Sequence, residues 1–211
     1  MSRLPPLIVL ILAAVASPGE APVKAAPLAA PPPGFPTAIF AGGCFWTEEK
    51  AVGGPPGGRS AVSGFVGGTA PNPTYERVVR GGTGYREAVQ VTFDPAVVRY
   101  RALVDRFWRT IDPTDPTGQV CGQGPSYVTA GYATDAQTAT AQASRTAARA
   151  ALGSRGARFI TPVYPAMRFW PAGPEHHDFA RRHPARYGAY RIGCGRSAPV
   201  RSAHRYLASA C

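Results

Sequence analysis

Hydrophobic residues recur with regular spacing along the middle of this 211-residue chain, and the spacing predicts its first elements. A short apolar run predicts a strand at 37–41. A helix is predicted from about Cys44, and the Gly- and Pro-rich stretch 53–58 must end it. Residues 59–66 predict a second strand, which leads into a loop that opens with Gly67-Gly68.

The two clearest periodicities lie in the next part of the chain. Residues 87–93 alternate, with two valines and Phe93 on one face and Ala88, Gln90 and Thr92 on the other, which predicts a half-buried strand. Apolar residues at 100–111 follow helical spacing, so we predict a helix whose aromatic rings belong to the core.

The last third of the chain predicts one long helix and little else. Thr134 and Gln137 have the spacing of a capping box, and the helix they open extends to Leu152. Residues 158–163 predict a final strand, whereas no sustained period follows Trp170. Interleaved strands and helices indicate a single α/β or α+β domain, with a mixed sheet, flanking helices and a long C-terminal loop segment.

The N-terminus has the pattern of an export signal. Arg3 precedes a compact apolar run and then small residues suited to cleavage, so residues 1–16 predict a secretory signal peptide, with an uncleaved membrane anchor as the alternative. Three further segments complete the predicted organisation: an Ala/Pro-rich linker at 17–36, the domain at 37–196 and a tail at 197–211. We expect a periplasmic or secreted monomer that is not bound to a membrane after cleavage.

Export also determines what the cysteines can do. Cys44, Cys121, Cys194 and Cys211 all follow the predicted cleavage site, so disulfides are permitted in this compartment. Four cysteines allow three complete pairings, and their spacing does not select one.

Charge and histidine content exclude two classes of function. The formal net charge is +11, but the arginines are scattered and form no compact basic motif with aromatic residues, so nucleic-acid binding is not expected. His176, His177 and His183 lie close together in the sequence, yet only Asp178 offers a further ligand at suitable spacing. We therefore expect no metal site, and these histidines are interpreted as part of a surface loop.

Gly42-Gly43-Cys44-Phe45-Trp46 is the strongest candidate for chemistry. It places a thiol between a predicted strand and a predicted helix, where unpaired N–H groups and the helix dipole favour a thiolate. The two aromatic rings beside it suit an apolar pocket. A buried structural cysteine is the alternative, and this pentapeptide alone does not decide between the two.

Further motifs follow this one in a fixed order, and together they carry a family resemblance. They are Gly64-Phe65-Val66-Gly67-Gly68, Pro71-Asn72-Pro73-Thr74-Tyr75, Thr83-Gly84-Tyr85-Arg86-Glu87-Ala88-Val89, Phe93-Asp94-Pro95, Phe107-Trp108, Asp112-Pro113-Thr114 and Gly124-Pro125-Ser126-Tyr127. The ordered set, which spans about 36–196, resembles a peptide methionine sulfoxide reductase of the A type. Such enzymes act on the S epimer of the sulfoxide.

The resemblance implies a role for each of these motifs. Cys44 would attack the sulfoxide sulfur and become a sulfenic acid as methionine is released. Phe45 and Trp46 would hold the methyl group of the sulfoxide in an apolar pocket. Glu87 matches the acid that protonates the sulfoxide oxygen, and two tyrosines would face the same oxygen, namely Tyr75 and Tyr127.

The resemblance also implies how the enzyme is regenerated. Cys194, in a Gly-flanked segment, would form a disulfide with Cys44, and a thioredoxin-like partner would then reduce that disulfide. A permanent disulfide between Cys194 and Cys121 is the alternative. Cys211 is either a relay for the disulfide or an idle thiol. No organic cofactor or metal is implied, because sulfur carries the redox chemistry.

The predicted function is therefore thiol-dependent reduction of methionine S-sulfoxide, free or in proteins. One alternative is a general thiol-disulfide oxidoreductase, which the lack of a C-x-x-C pair disfavours. The other is a non-catalytic secreted protein that binds methionine-rich partners.

Departures from the family pattern motivate that second alternative. Gly122 stands where an acidic residue is common, Phe65 where tyrosine is usual, and Tyr85 where histidine is common. The stretch 169–179 is a degraded form of the family's aromatic-acidic-histidine segment. These differences predict a weakened enzyme or a narrowed substrate range.

Overall fold

A computed structural model describes residues 34–54 and 56–195 of the chain. The strands are β1 (Thr37–Ala41), β2 (Gly58–Val66), β3 (Arg86–Phe93), β4 (Gly118–Gln119), β5 (Gly122–Gln123), β6 (Ala130–Ala133), β7 (Val163–Pro165) and β8 (Trp170–Pro171). The helices are α1 (Phe45–Gly53), α2 (Tyr75–Arg80), α3 (Tyr100–Thr110), α4 (Asp135–Gly153), α5 (Phe179–Arg182) and α6 (Pro184–Gly193).

Six of the strands form one sheet in the order β7-β6-β1-β3-β2-β8. Every neighbouring pair is antiparallel except β6 and β7, which run parallel, so the sheet is mixed. The two shortest strands, β4 and β5, form a separate hairpin. The predicted fold class, a mixed sheet with flanking helices in one domain, is confirmed.

Strand β3 lies at the centre of the sheet, and the prediction that it is half-buried was wrong. Val89, Val91 and Phe93 belong to the main core, while Ala88 on the other face packs in a second buried cluster with Tyr132. The alternation of apolar residues with small or polar ones predicts one exposed face. In the structure, other parts of the protein pack on both faces of the sheet, so the small and polar residues are covered as well.

The two long helices form as their patterns predict. Helix α3 buries its apolar stripe, including Phe107, whose ring stacks on Phe40 of β1 with 4.7 Å between centroids. Helix α4 begins with the predicted capping box, in which Gln137 accepts the backbone N–H of Thr134 at 3.2 Å. Helices α3 and α4 pack against each other, and they contact β1, β6 and β7 of the sheet.

Short elements account for most of the incorrect predictions. The strand expected at 158–163 begins only at Val163, and β6, β8 and α2 were not predicted. The region beyond Trp170 is not mainly loop, because it contains α5 and α6. A four-residue helix and a helix with a single buried residue, Tyr187, are too short or too exposed to show a hydrophobic period.

Several predicted segments fall outside the described residues. They are the signal peptide at 1–16, nearly all of the linker at 17–36, the tail at 197–211 and, within that tail, Cys211. Across 34–54 and 56–195, no helix is both long and apolar enough to span a membrane.

Candidate active site

Cys44 lies directly before α1, at the turn where β1 gives way to the helix. Gly43 makes this turn with φ 83°, a conformation that favours glycine over residues with a side chain. Cys44 is the N-cap of α1, and its carbonyl accepts the N–H groups of Thr47 and Glu48 at 3.1 and 3.2 Å. Its side chain is almost wholly buried. The predicted position of the thiol at a helix N-terminus is therefore present in the structure.

Glu87 reaches the same turn from the central strand. Its carboxyl oxygen Oε2 accepts the backbone N–H of Phe45 at 3.0 Å, and the residue is only 2% exposed. Burial raises the pKa of Glu87 to about 8, although hydrogen bonds from Phe45 and Tyr127 act in the opposite direction. The carboxyl group is thus mostly protonated at neutral pH and can donate a proton.

Tyr75, the first residue of α2, and Tyr127, in a short 3-10 helix after β5, approach this carboxyl group from two different segments. Burial, and then the charge of Glu87, raises the pKa of Tyr75 to about 12. The same two causes raise the pKa of Tyr127, whose hydroxyl also hydrogen-bonds to Glu87. Both phenols therefore keep their protons at neutral pH, so both remain hydrogen-bond donors.

Phe45 and Trp46 form the apolar wall beside the sulfur. Phe45 is 1% exposed, and its ring lies 6.1 Å from that of Tyr75 between centroids. Trp46 is partly exposed and stacks almost parallel on Phe179 of α5, at 3.8 Å and an interplanar angle of 7°. The C-terminal segment therefore packs directly against this wall.

His176 supports this wall, a role that the sequence analysis missed. Its Nδ1 atom accepts the indole N–H of Trp46 at 3.2 Å, and its ring lies 4.4 Å from that of Tyr75. Burial lowers the pKa of His176, which keeps the ring neutral and able to accept this bond. The interpretation of His176 as part of a surface loop was wrong, since the residue is only 7% exposed.

A buried carboxyl group ties the C-terminal segment to α1. Glu49 accepts the backbone N–H of Asp178 at 3.0 Å and the hydroxyl of Ser63 at 2.8 Å. Burial raises the pKa of Glu49 to about 7. The stretch 169–179, interpreted as degraded, thus supplies two contacts to the wall, from His176 and Phe179.

Within the described part of the chain, no group of three or more histidine, cysteine or carboxylate side chains is arranged to hold a metal ion.

Six of the seven residues predicted for the site line one cavity of about 240 Å³, and the seventh, Cys194, does not. The full lining is Cys44, Phe45, Trp46, Tyr75, Glu87, Cys121, Gly122, Gln123, Tyr127 and Tyr190. A larger cavity, of about 660 Å³, lies on another side of Trp46 and does not include Cys44. Because the thiol, the carboxyl group and the phenols converge only in the smaller cavity, we identify it as the candidate active site.

The structure pairs Cys194 with Cys121 and leaves Cys44 outside the disulfide. The two bonded residues have a Cα–Cα distance of 5.3 Å and are separated by 73 positions in the sequence. The family resemblance predicts a bond between Cys194 and Cys44, with the observed pair as the alternative. Cys121 was not predicted as a lining residue, and nothing in its sequence spacing identified it.

The structure shows what surrounds the three residues that depart from the family pattern, Gly122, Phe65 and Tyr85. A Cβ atom on Gly122 would lie 2.8 Å from the ring of Tyr127, so glycine lets this ring pack closely over the hairpin. Phe65 and Tyr85 are both buried in the main core and do not line the cavity. The departures at Phe65 and Tyr85 therefore do not change the cavity wall, whereas Gly122 is part of it.

Comparison with known proteins decides the family. A model of the family described as peptide methionine sulfoxide reductase matches residues 36–206. This chain belongs to that family. Peptide methionine sulfoxide reductase MsrA 2 of Caulobacter vibrioides is 45% identical over 92% of this chain and 96% of its own length. Its namesake from Rhizobium meliloti is 47% identical over 77% of this chain and 80% of its own length.

A solved structure of the family has the same fold. Methionine sulfoxide reductase A of Corynebacterium diphtheriae superposes with a TM-score of 0.66 at 31% identity, covering 72% of this chain and 76% of that one. The chain is thus a peptide methionine sulfoxide reductase, an enzyme that reduces methionine sulfoxide with thiols. The predicted function, thiol-dependent reduction of methionine sulfoxide, is confirmed.

Proposed function

We propose that this enzyme reduces the S epimer of methionine sulfoxide, free or in proteins, with Cys44 as the nucleophile and Glu87 as the acid. The observation that carries the proposal is the meeting of these two residues in one cavity. The backbone N–H that follows Cys44 is hydrogen-bonded to the carboxyl group of Glu87 at 3.0 Å. A thiol at a helix N-terminus can supply the nucleophile for sulfoxide reduction, and a neutral carboxyl group can supply the proton.

The first half of the reaction transfers one oxygen atom. The Cys44 thiolate attacks the sulfoxide sulfur, and Glu87 gives its proton to the oxygen as negative charge develops there. Hydroxyl groups of Tyr75 and Tyr127 donate hydrogen bonds to the same oxygen. The oxygen leaves the substrate and stays on Cys44, so that the products are methionine and a cysteine sulfenic acid.

The size and the lining of the cavity suit a methionine side chain. Its volume of about 240 Å³ is below the range of roughly 300–1,000 Å³ that is usual for drug-sized ligands. The rings of Phe45 and Trp46 bury the methyl group of the sulfoxide while the polar groups engage the oxygen. Only the side chain enters, so free methionine sulfoxide and a protein-bound residue are both suitable substrates.

Regeneration uses the C-terminal segment. The thiol of Cys194 attacks the sulfenic acid on Cys44, which forms a disulfide and releases water. A thioredoxin-like dithiol then returns the enzyme to its reduced state. The position of Cys194 beside the candidate site supports this role, because Cys194 is bonded to Cys121, which lines the cavity.

The enzyme is further proposed to act outside the cytoplasm as a monomer, free of the membrane after the signal peptide of 1–16 is removed. Support comes from the N-terminal sequence, with its basic residue, its apolar run at 7–12 and its small residues at 14–16. An oxidising compartment is also one in which protein disulfides persist.

The two sulfoxide epimers provide the direct test of this proposal. With dithiothreitol as reductant, we expect turnover of the S epimer and a rate roughly 5- to 150-fold lower for the R epimer. Inverting the sulfur places its oxygen against the apolar rings, and an unsatisfied buried acceptor costs about 1–3 kcal/mol. Methionine release from each pure epimer measures this ratio. Equal rates for the two epimers would contradict the proposed substrate orientation.

Replacing Cys194 by serine is expected to separate the two halves of the cycle. The variant still releases about one equivalent of methionine, because attack on the sulfoxide needs only Cys44 and its cavity. Turnover driven by thioredoxin then stops, while dithiothreitol partly restores it by reducing the sulfenic acid directly. Normal steady-state turnover with thioredoxin would show that Cys194 does not resolve the intermediate.

A further inference from the structure

We propose that Cys121 is a second recycling cysteine, which takes the disulfide away from Cys44 and presents it to the external reductant. This inference rests on the proposed function, in which Cys194 first forms a disulfide with Cys44. In the structure Cys194 is bonded instead to Cys121, a residue that lines the same cavity as Cys44. The observed disulfide is then the last oxidised state of the cycle.

The hairpin and the last helix bring the three sulfur atoms to one place. Cys121 lies in the turn between β4 and β5, directly before Gly122, on the rim of the cavity. Cys194 is the C-cap of α6, and this helix packs on the site through Tyr190, whose ring meets that of Trp46 edge-on at 6.1 Å. Cys194 is therefore placed beside the cavity, bonded to one of the two cysteines that line it.

Exposure distinguishes the two partners of Cys194. Cys44 is 8% exposed, whereas Cys121 is an exposed residue. A protein reductant must bring its own thiolate in line with a disulfide sulfur, and the exposed sulfur of Cys121 is easier to approach than the buried sulfur of Cys44. Transfer of the bond from Cys44 to Cys121 moves the oxidation from the cavity to the surface.

A permanent disulfide between Cys121 and Cys194 is inconsistent with the proposed cycle. If that bond never opened, Cys194 would have no thiol with which to attack the sulfenic acid on Cys44. Cys194 therefore exchanges between two partners, and Cys121 is the partner to which it is bonded in the structure.

The exchange step conserves atoms and electrons. The thiolate of Cys121 attacks the Cys194 sulfur of the Cys44–Cys194 disulfide, and the Cys44 thiolate leaves. One disulfide breaks, one forms, and Cys44 is again ready to attack a sulfoxide. An external dithiol afterwards reduces the Cys121–Cys194 disulfide and becomes oxidised itself.

Counting methionine in the absence of reductant tests the relay. The whole protein is fully reduced, freed of reductant and mixed with excess S-sulfoxide. We expect about two equivalents of methionine from the unmodified protein, since the exchange returns Cys44 to its reduced state once. Cys121→Ser is expected to release about one equivalent, and the matched control Cys211→Ser about two. The first equivalent reports the proposed function, and only the second reports the relay.

Three results would overturn the inference: a single equivalent from the unmodified protein, a second equivalent from Cys121→Ser, or its loss from Cys211→Ser. Should Cys121→Ser fail to fold, a measurement on the unmodified protein decides instead. After one equivalent of sulfoxide, the thiols are alkylated and the peptides are mapped by mass spectrometry. We expect a Cys121–Cys194 disulfide with Cys44 alkylated, and a Cys44–Cys194 disulfide as the final product would refute the relay.

Discussion

Replacing Cys44 by serine is expected to lower the rate of sulfoxide reduction by at least about a thousandfold, to the level of the enzyme-free reaction. A hydroxyl group stays protonated at neutral pH and is a poor nucleophile toward sulfur, so no sulfenic acid forms. The measurement is methionine release from the S epimer with dithiothreitol as reductant. Dithiothreitol bypasses the recycling cysteines, so the loss reports the nucleophile alone.

This substitution has a favourable structural context. Cys44 is the N-cap of α1, and serine is among the residues preferred at that position. We therefore expect the variant to unfold at a temperature equal to or above that of the unmodified protein. A variant that is folded and still turns over would show that another residue attacks the sulfoxide.

Exchanging Glu87 for glutamine is expected to reduce the rate about 100- to 1,000-fold while the fold is retained. The amide has nearly the same shape, and its oxygen can still accept the N–H of Phe45. It cannot, however, deliver a proton to the departing oxygen. Since burial raises the pKa of Glu87 to about 8, the protonated carboxyl is lost as the pH rises through that value. Single-turnover rates of the unmodified enzyme are thus expected to fall above about pH 8.

Glu48→Gln is the matched control for this prediction. Glu48 is fully buried, like Glu87, but its carboxyl group accepts the hydroxyl of Thr110 at 2.9 Å and does not line the cavity. We expect well under a tenfold change in rate for this variant. If Glu87→Gln kept its rate, or kept the alkaline decline expected of the unmodified enzyme, the proton would come from another group.

Residues with a long hydrophobic period were predictable from the sequence. Helix α3 has a wide apolar stripe and a Pro stop, and α4 has a capping box, so both were located almost to the residue. Strands β6 and β8 and helix α5 have two to four residues each, and contacts with distant elements determine them. Such contacts leave no local period in the sequence.

The residues of the candidate site also fall into two groups, those that the sequence predicts and those that depend on contacts between distant segments. The motif around Cys44 indicated a thiol at a helix N-terminus, and the resemblance supplied Glu87 and the two tyrosines. His176 was missed because its partner Trp46 lies 130 positions away in the sequence. The pairing of Cys121 with Cys194 was open for the same reason, as spacing alone does not choose among cysteine pairs.

The central position of β3 has a consequence for how the molecule opens. Glu87 is paired with Phe65 of β2, and its strand is also paired with β1 from Val89 to Thr92, so we expect its surroundings to open together with the centre of the sheet. Cys121 lies in the turn of a two-stranded hairpin and Cys194 at the end of a short helix, and both can open locally. Amide hydrogens of β3 are thus expected to exchange with deuterium more slowly than those around Cys194. In the proposed relay, the segments that exchange disulfides are therefore separate from the strand that holds the proton donor Glu87.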